Sequence, residues 1–531
     1  MALSAHDSLL LLALLAAGAG LLALAPLLRV PYPILLVLGG LVLGFLPGLP
    51  HPVLDPNIVL VGILPPLLYS AAFFTSLRDL RRNARPLSLA AVGLVLVTTV
   101  AVASVCHTFI AGLSWQVSFV VGAIVAPTDA VAASAIASRL GIPRRLEALI
   151  EGESLINDAT ALVAYRFAVV AVVTGGFSLW HAVWRFAFDV VGGVAVGVAV
   201  GFVIRQVRRR IDHSPTEIAI ALFSGYFAYL PAQALGVSAV LAAVSVGIYV
   251  GWYTPELTTV QTRLQGDAVW GILVFLLNAL LFALVGLQLE PILHRLAGRS
   301  AASLAGDGAI VSAAVIVTRI VWMYPAAYVP RFLSRRIRER DPYPPWQYPA
   351  FLGWTGLRGA VSLAAALALP LSIHGGTPFP DRDLITFLAF SVILATLVVQ
   401  GLTLPVVIRV LRLEADGLSA KEETKARILA AEAALARLDE VASEGWVREA
   451  TLARMRGAYE FRRNRFQARL DGEDDGSIEQ QSQDYQRLRR EVLDAERQAV
   501  VDLRRQGRIN DVVMNRIQRD LDLEDARLDI E

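Results

Sequence analysis

The sequence predicts an all-α polytopic membrane protein followed by a polar helical tail. The 531 residues are 55% hydrophobic and 18% charged, and the mean hydropathy is +0.56. A soluble protein of this length carries more charge, so the composition favours a chain that crosses a membrane many times. The apolar residues also form long runs, many of them close to the roughly 20 residues that a membrane-spanning helix needs.

About 13 such runs precede Arg412, by the length that a membrane span requires. They lie near residues 8–28, 32–48, 57–75, 86–112, 115–139, 147–174, 183–206, 215–234, 238–253, 268–290, 307–331, 348–373 and 384–411. The first run lacks the basic start and the cleavage site of a signal peptide, so we interpret it as a retained helix. Residues 1–412 are therefore predicted to form one transmembrane domain.

The arginines indicate how this domain lies in the membrane. Alternate connections hold clusters of arginine at residues 78–85, 139–145, 205–210 and 331–340, whereas the connections between them hold Arg295, Arg299 and Arg382. Arginine and lysine concentrate in cytoplasmic loops. The sequence therefore predicts an inner-membrane protein with its N-terminus outside and its C-terminus in the cytoplasm, which an odd number of helices allows.

Residues 413–531 are predicted to form a separate cytoplasmic helical domain. Amphipathic helical patterns cover residues 419–443, 448–469 and 483–505, and the Asp- and Gly-rich segment 470–476 interrupts them. These helices are too polar to span a membrane. We interpret this tail as serving assembly or regulation.

Composition and motifs exclude several classes of function. The net charge of +2 gives no basis for nucleic-acid binding, and the single cysteine, Cys106, excludes an internal disulfide framework. The seven histidines are scattered, so no His or Cys cluster accompanies the buried acids as in a metal-dependent membrane enzyme. No cofactor is expected.

Ionisable side chains interrupt the sixth apolar run. Residues 151–158 read Glu-Gly-Glu-Ser-Leu-Ile-Asn-Asp, and such side chains inside a membrane usually mark an ion or proton pathway. Ser154, Asn157 and Asp158 are spaced to share one face of a helix and are predicted ion-binding residues. Because a desolvated Asp158 can hold a proton or a monovalent cation, but poorly both together, the pattern predicts exchange. The alternative is a structural acid paired to an arginine.

A second acid, Asp129, follows Pro127 and Thr128 in the fifth run. A proline within a span removes a backbone hydrogen bond and frees nearby carbonyls. Broken helices of this kind recur at transporter ion sites, so Thr128 and Asp129 are predicted cation ligands. The alternative is a proline kink with an acid that faces solvent near a helix end.

Glu153 is predicted to have an architectural role. It points away from the Ser154 face and needs a partner if it is buried. Arg319 and Arg358 both lie inside later apolar runs, and an ion pair with either is expected. Glu151, nearer the start of its span, is interpreted as a solvated acid at a helix end.

The twelfth run is a poor continuous helix because it contains Gly353, Thr355, Gly356 and Gly359. Together with the break at Pro127, it predicts two broken helices in corresponding halves of the chain. Such a pair is typical of inverted-repeat transporters with a site at the membrane midplane. Close helix packing at small residues is the alternative.

Six stretches, in this order along the chain, resemble bacterial sodium/proton antiporters of the monovalent cation:proton antiporter superfamily, in the branch that contains the sodium/hydrogen exchangers. They are Leu-Pro-Pro-Leu-Leu-Tyr at 64–69, Ala-Pro-Thr-Asp at 126–129, Gly-Glu-Ser-Leu-Ile-Asn-Asp at 152–158, Phe-Leu-Leu-Asn-Ala-Leu-Leu at 275–281, Gly-Leu-Arg-Gly-Ala-Val-Ser at 356–362 and Val-Gln-Gly-Leu-Thr-Leu-Pro at 399–405. The resemblance implies 13 helices in two inverted repeats. It also implies a homodimer in the membrane lipid and an elevator-like movement of a core domain against a dimerisation domain.

The resemblance also implies roles for individual residues. Asp158 becomes the shared ligand of cation and proton, and Na⁺ is bound there together with Asp129, Ser154 and Thr128. Asn157 stands where electrogenic relatives have a second aspartate, which implies one-for-one, electroneutral exchange.

For the buried ion pair, the resemblance favours Arg319 over Arg358 as the partner of Glu153. Arg358, together with Gly356 and Gly359, is then predicted to support the second broken helix. The chain also departs from many relatives, which carry acids where it has Ser70 and Gln233. The absence of an acid at these two positions argues against a second site for a proton or a cation.

The sequence thus predicts a secondary antiporter, not an enzyme, that exchanges Na⁺ or Li⁺ for protons. K⁺ is a competing substrate, because hard oxygen ligands suit all three ions. From another functional class, an ion channel or a membrane sensor with a signalling tail is the alternative. Against a channel, the sequence contains no short repeated filter loop.

Overall fold

The computed structural model of the protein describes residues 18, 20–21, 23–25, 27–28, 30–46, 55–174, 179–296, 298–373, 377–414, 417–471 and 477–528. Much of the first predicted span, 8–28, therefore lies outside the described residues. The chain divides into two compact units, Met1–Ala415 and Asp416–Glu531.

Within its described part, the first unit consists of helices and connecting loops, with one isolated β-bridge between Ser372 and Pro378. Its helices are α1 (Tyr32–Gly44), α2 (Ile58–Phe74), α3 (Leu77–Arg82), α4 (Ala84–Phe109), α5 (Trp115–Val125), α6 (Ala130–Leu140), α7 (Arg144–Thr174), α8 (Leu179–Arg208), α9 (Ser214–Ala234), α10 (Ala239–Leu257), α11 (Val260–Leu287), α12 (Leu289–Arg295), α13 (Ala301–Leu333), α14 (Arg335–Arg340), α15 (Gln347–Trp354), α16 (Ala360–Leu367) and α17 (Arg382–Val410).

Among the described residues, eight helical segments are long and apolar enough to cross a membrane. Helices α1 and α2 are apolar but shorter. Helices suit such sequences because they satisfy every backbone polar group internally, which lipid cannot do. The count of 13 crossings and the inverted repeats stay predictions.

Polar caps and glycine turns set the ends of several helices. The hydroxyls of Ser114, Ser238 and Ser300 each accept a hydrogen bond from a backbone N–H in the first turn of α5, α10 and α13. Gly236 separates α9 from α10 with φ at +70°, a conformation that side chains with a Cβ rarely adopt. The split that the sequence places at residues 235–237 is therefore a tight turn between two helices.

Two helices are interrupted where the sequence predicts. Helix α5 ends at Val125 and α6 begins at Ala130, so Pro127, Thr128 and Asp129 are not helical. Helix α15 ends at Trp354 and α16 begins at Ala360. The four-residue and five-residue gaps leave backbone groups free at four helix ends.

The apolar interior of this unit separates into two main clusters. The first includes Val121, Ile136, Val311 and Phe390 from α5, α6, α13 and α17. The second is built from α2, α8, α9, α10 and the start of α11. Helix α7, which carries the Glu153–Asp158 segment, contributes residues to both.

The second unit, in its described part, consists of α18 (Leu418–Glu444), α19 (Glu449–Asp471), α20 (Ser477–Arg505) and α21 (Asp511–Leu528). The first three cover the helical patterns at 419–443, 448–469 and 483–505. The sequence does not predict α21. This helix packs on α20 through a small core that includes Leu493, Leu521 and Leu528, and Arg497 pairs with Asp522 and Asp525.

Candidate ion-binding site

A cavity of about 530 Å³ lies beside both helix breaks. Its walls come from α2, the break between α5 and α6, α6, α7, α11 and α16. Its polar lining residues are Ser70, Thr75, Thr128, Asp129, Ser134, Glu151, Ser154, Asp158, Asp267, Asn278 and Ser362. Most of these side chains offer oxygen, so the cavity is a candidate site for a hard cation.

The two breaks cross and hold each other through the backbone. The N–H of Asp129 donates to the carbonyl of Leu357 at 2.8 Å, which joins one interrupted segment to the other. The Asp129 carboxylate accepts from the N–H of Val131 at 2.8 Å and so caps α6. It also lies directly against Gly359, where an added Cβ would stand 1.9 Å from Asp129 Oδ2. Only a residue without a side chain fits there.

Charges at the crossing match the dipoles of the four helix ends. The Asp129 carboxylate sits at the N-terminus of α6 and beside Gly359, which precedes α16. The fully buried Arg358 guanidinium donates from Nε to the Val125 carbonyl at 3.1 Å, at the end of α5, and from Nη1 to the Gly356 carbonyl. Helix N-termini favour negative charge and C-termini positive charge. This arrangement explains how charged groups and open backbone persist in the interior.

Thr128 is the centre of the hydrogen-bond network at the site. Its hydroxyl accepts from Asn157 Nδ2 at 2.6 Å and donates to Glu153 Oε1 at 3.0 Å. Its carbonyl accepts from the Ser154 hydroxyl at 3.0 Å. The Thr128 proton is therefore directed at Glu153, which leaves one hydroxyl lone pair for a further ligand.

Glu153 pairs with Arg319, which of the two arginines that the sequence offers as partners, Arg319 and Arg358, is the one that contacts it. Arg319 Nη2 donates to Glu153 Oε2 at 3.0 Å, and Nη1 donates to Oε1. Arg319 Nε also donates to the Leu352 carbonyl at 2.9 Å. Both side chains are nearly inaccessible, at 1% and 3% exposure. The pair joins α7 to α13 and to α15 behind the Thr128 network.

Asp158 differs from the other acids of the network. It lines the cavity and is 7% exposed, yet it makes no hydrogen bond or ion pair within the part of the chain that the structure describes. A buried carboxylate without a partner is costly while it is ionised. Binding a proton or a cation at Asp158 relieves that cost.

The structure places Asn157 and Glu151 differently from the sequence expectation. Asn157 shares a helix face with Ser154 and Asp158 in the sequence pattern, but it is not among the cavity-lining residues. Its Nδ2 holds Thr128 from behind, and its Oδ1 has no partner among the described residues. Glu151 is not a fully solvated acid, because it is partly buried and lines the cavity.

Two further cavity residues lie on α11. The sequence pattern does not single out Asp267, and it marks Asn278 only weakly, as a buried amide that a helix–helix hydrogen bond would equally explain. Asp267 and Asn278 line the same cavity as Asp158. Ser70 also lines it and donates its hydroxyl to the Leu67 carbonyl at 2.9 Å. Asp267 and Asn278 lie on one face of α11, but the apolar run between them does not show which face of the helix meets the cavity.

Known proteins resemble this chain over most of its length. The sequence profile of the family described as "Sodium/hydrogen exchanger, transmembrane" matches residues 10–410. An uncharacterised Na⁺/H⁺ exchanger of Mycobacterium tuberculosis (strain H37Rv) is 37% identical over 516 residues, which cover 94% of this chain and 92% of that protein. The Na⁺/H⁺ antiporter ApNhaP of Aphanothece halophytica is 33% identical over 77% of this chain and 75% of its own length.

A third relative has a broader name. The sodium, potassium, lithium and rubidium/H⁺ antiporter of Bacillus subtilis (strain 168) is 32% identical over 71% of this chain and 58% of that protein. Among solved structures, the sodium proton antiporter MjNhaP1 from Methanocaldococcus jannaschii has a TM-score of 0.60 at 18% identity, and the match covers 76% of this chain and 97% of that one. At this identity the likeness shows a shared fold.

The sequence profile and the relatives thus confirm the resemblance seen in the six motifs. The apolar helices mark an integral membrane protein, and its relatives are named as transporters of sodium and protons rather than as enzymes. With a profile match over most of the chain and a relative 37% identical over 94% of it, the protein belongs to the sodium/hydrogen exchanger family.

Proposed function

We propose that the protein is a secondary antiporter that exchanges one Na⁺ or Li⁺ for one proton at Asp158. The observation that carries this proposal is the state of Asp158: it is buried, it lines the cavity, and it has no partner among the described residues. Family membership supplies the reaction class. One titratable acid shared by both ions makes the exchange one for one, hence electroneutral.

The substrate cation is bound by oxygens on α7 and at the first helix break. Asp158 and Asp129 supply carboxylate oxygens, and Thr128 and Ser154 supply hydroxyl oxygens that the hydrogen-bond network holds in place. Asn157, also predicted as an ion-binding residue, acts in this proposal through Thr128, whose hydroxyl it holds. Glu153 and Arg319 neutralise each other behind the network, so they add no net charge to the site.

Coupling follows from the cost of leaving Asp158 ionised and empty in a low-dielectric interior. The loaded site, with a proton or a cation on Asp158, is close to neutral and can move. The empty, charged site is held where cavity water reaches it. We assign the movement to the first apolar cluster sliding against the second, as an elevator, because residues of both clusters line the cavity.

K⁺ is the second candidate substrate. The Bacillus subtilis relative is named for sodium, potassium, lithium and rubidium, and the oxygen ligands here do not by themselves exclude the larger ions.

We further propose a homodimer in the inner membrane with the C-terminal unit in the cytoplasm. The arginine distribution supports this orientation. A row of exposed apolar side chains on α8, including Trp180, Trp184, Phe188 and Val191, supports contact with lipid or with a second copy.

The proposal is tested by proton flux in everted vesicles or proteoliposomes that carry an imposed pH gradient. Addition of Na⁺, Li⁺ or K⁺ is expected to move protons in the wild type and not in Asp158→Asn, which removes the titratable acid with little change in shape. A matched control is Ser70→Ala, which removes a cavity hydroxyl away from the Thr128 network. Retained exchange in folded Asp158→Asn contradicts the proposal. Cation flux without coupled proton movement favours the channel alternative.

A further inference from the structure

One face of α11 forms a wall of the cavity distinct from α6 and α7. Asp267, Trp270, Val274, Asn278 and Leu281 line the cavity and recur at intervals of three or four residues along this helix. Among these five, Asn278 is the neutral side chain that carries both a hydrogen-bond donor and an acceptor.

The Asn278 carboxamide donor has no protein partner in the part of the chain that the structure describes. The side chain is 3% exposed, and its Nδ2 makes no hydrogen bond within the described residues. A helix–helix hydrogen bond, the ordinary explanation for a buried asparagine in a membrane helix, therefore does not account for this group. Buried donors are almost always satisfied, by protein or by ordered water.

The cavity offers water as the missing partner. Its volume of about 530 Å³ is many times the roughly 30 Å³ that one water molecule occupies in the liquid. A water that accepts a hydrogen bond from Nδ2 keeps a second lone pair and both of its hydrogens. It can therefore coordinate a cation and donate to a carboxylate of the same cavity.

The protein ligands of the proposed site leave room for that water. Thr128 and Asp129 lie in the first helix break, and Ser154 and Asp158 lie on the adjoining helix α7, so they approach a cation from α7 and the break. All four residues line the same cavity as Asn278. Water fixed on the α11 wall can therefore fill a coordination position that these ligands leave open.

We propose that Asn278 is a specificity-determining residue for the exchanged cation, which acts by anchoring a cavity water that completes the coordination of the ion. This inference rests on the proposed function. Li⁺ and Na⁺ are small and bind their waters strongly, whereas K⁺ and Rb⁺ are larger and bind them weakly. Loss of the anchored water therefore penalises Na⁺ more than K⁺.

The test compares Asn278→Leu and Asn278→Ala with the wild type in the proton-flux assay, with NaCl and KCl as the probes. Asn278→Leu keeps most of the volume without hydrogen bonding, and Asn278→Ala keeps the helix and leaves room for unanchored water. The half-saturating Na⁺ concentration is expected to rise about tenfold in both, which equals about 1.4 kcal/mol. The maximal rate and the value for K⁺ are expected to change much less.

Gly271→Ala is the matched control. Gly271 lines the same cavity on the same helix, and an added Cβ there meets nothing within 4 Å. Its half-saturating concentrations are expected to equal those of the wild type.

The possible outcomes separate the two proposals. No cation-driven proton movement in the folded wild type defeats the proposed function itself. Intact exchange, with an unchanged Na⁺ response in folded Asn278→Ala, defeats only the role of Asn278. The role is also overturned if the responses to Na⁺ and K⁺ weaken equally, or if only the maximal rate falls, because a merely structural asparagine does that. Should Asn278→Leu not fold, Asn278→Ala decides alone.

Discussion

The crossing of the two helix breaks depends on close contacts between single atoms. Gly359 is the sharpest example, because the Asp129 carboxylate occupies the space that a Cβ would need. The same carboxylate caps α6, and its backbone N–H is bonded to the other break. A methyl group at this position therefore displaces a proposed cation ligand together with the end of a helix.

Gly359→Ala is expected to slow cation/proton exchange at least about tenfold, since shifts of about 1 Å in reacting groups are costly. The assay is proton flux per amount of folded protein, judged by a monodisperse size-exclusion profile. Gly306→Ala is the control, because an added Cβ there meets nothing within 4 Å. Full activity in Gly359→Ala would show that Asp129 has room to move and is not needed where it stands.

The sequence predicts some site residues better than others for a physical reason. Thr128, Asp129, Ser154 and Asp158 are recognisable because polar groups within apolar runs are costly wherever the run lies in the fold. The position of Asn278 in the cavity depends on which face of α11 meets the other helices, and a single uniform apolar run does not encode that. The hydrogen bond from Asn157 to Thr128 likewise depends on where Thr128 lies in the fold, which the sequence does not show.

Among whole elements, Asp341 ties three helices together at the ends where the arginine clusters lie. Its carboxylate accepts from Arg145 Nη2 at 2.8 Å and from Arg331 Nη2 at 2.7 Å, and it also pairs with Arg85. These arginines belong to α7, α13 and α4. Since α7 carries Asp158 and α13 carries Arg319, this clamp fixes the base of the two helices that form the network.

The clamp makes a prediction about pH. Burial raises the pKa of the Asp341 carboxyl, but hydrogen bonds and charges from Arg145 and Arg331 outweigh burial, so the pKa lies below that of an ordinary aspartate. A lowered pKa in the folded state means that the ionised group stabilises the fold at neutral pH. This contribution is lost as the pH falls below about 3.9, the unfolded value, and through the folded pKa.

Asp341→Asn is expected to destabilise the protein at pH 7 by roughly 1–3 kcal/mol, the usual worth of hydrogen bonds to charged groups. Thermal unfolding in detergent measures this, and the gap from the wild type should close as the pH is lowered towards 3. Asp79→Asn, which removes a single ion pair with Arg144 at 3.0 Å, should give a smaller change. A gap that stays constant with pH would contradict a role for the ionised carboxylate.

Helix α21 is an element that the sequence pattern could have indicated. Its apolar residues Ile517, Leu521 and Leu528 recur on one face, so the segment 511–528 is amphipathic. What holds the helix is the packing of that face on Leu493 and the ion pairs to Arg497 from α20. Tertiary contacts of this kind are not visible along the chain.

At the scale of the whole molecule, the division into two units indicates which part of the chain transport requires. The residues proposed to bind ions, the crossing helices and the match to the exchanger family all lie before Ala415. The second unit has its own small core around Leu493 and its own ion pairs between α20 and α21. Units with separate cores generally fold separately, because few contacts cross the boundary.

A chain that ends at Ala415 is therefore expected to fold and to exchange Na⁺ for protons at a maximal rate within about a factor of two of the full chain, as independent units allow. The measurement is proton flux per folded protein, over a range of pH, with the full chain beside it. A folded but inactive truncated chain would make the tail part of the transport machinery. An equal maximal rate with a displaced pH profile would instead assign the tail to regulation, because the site itself is identical in both chains.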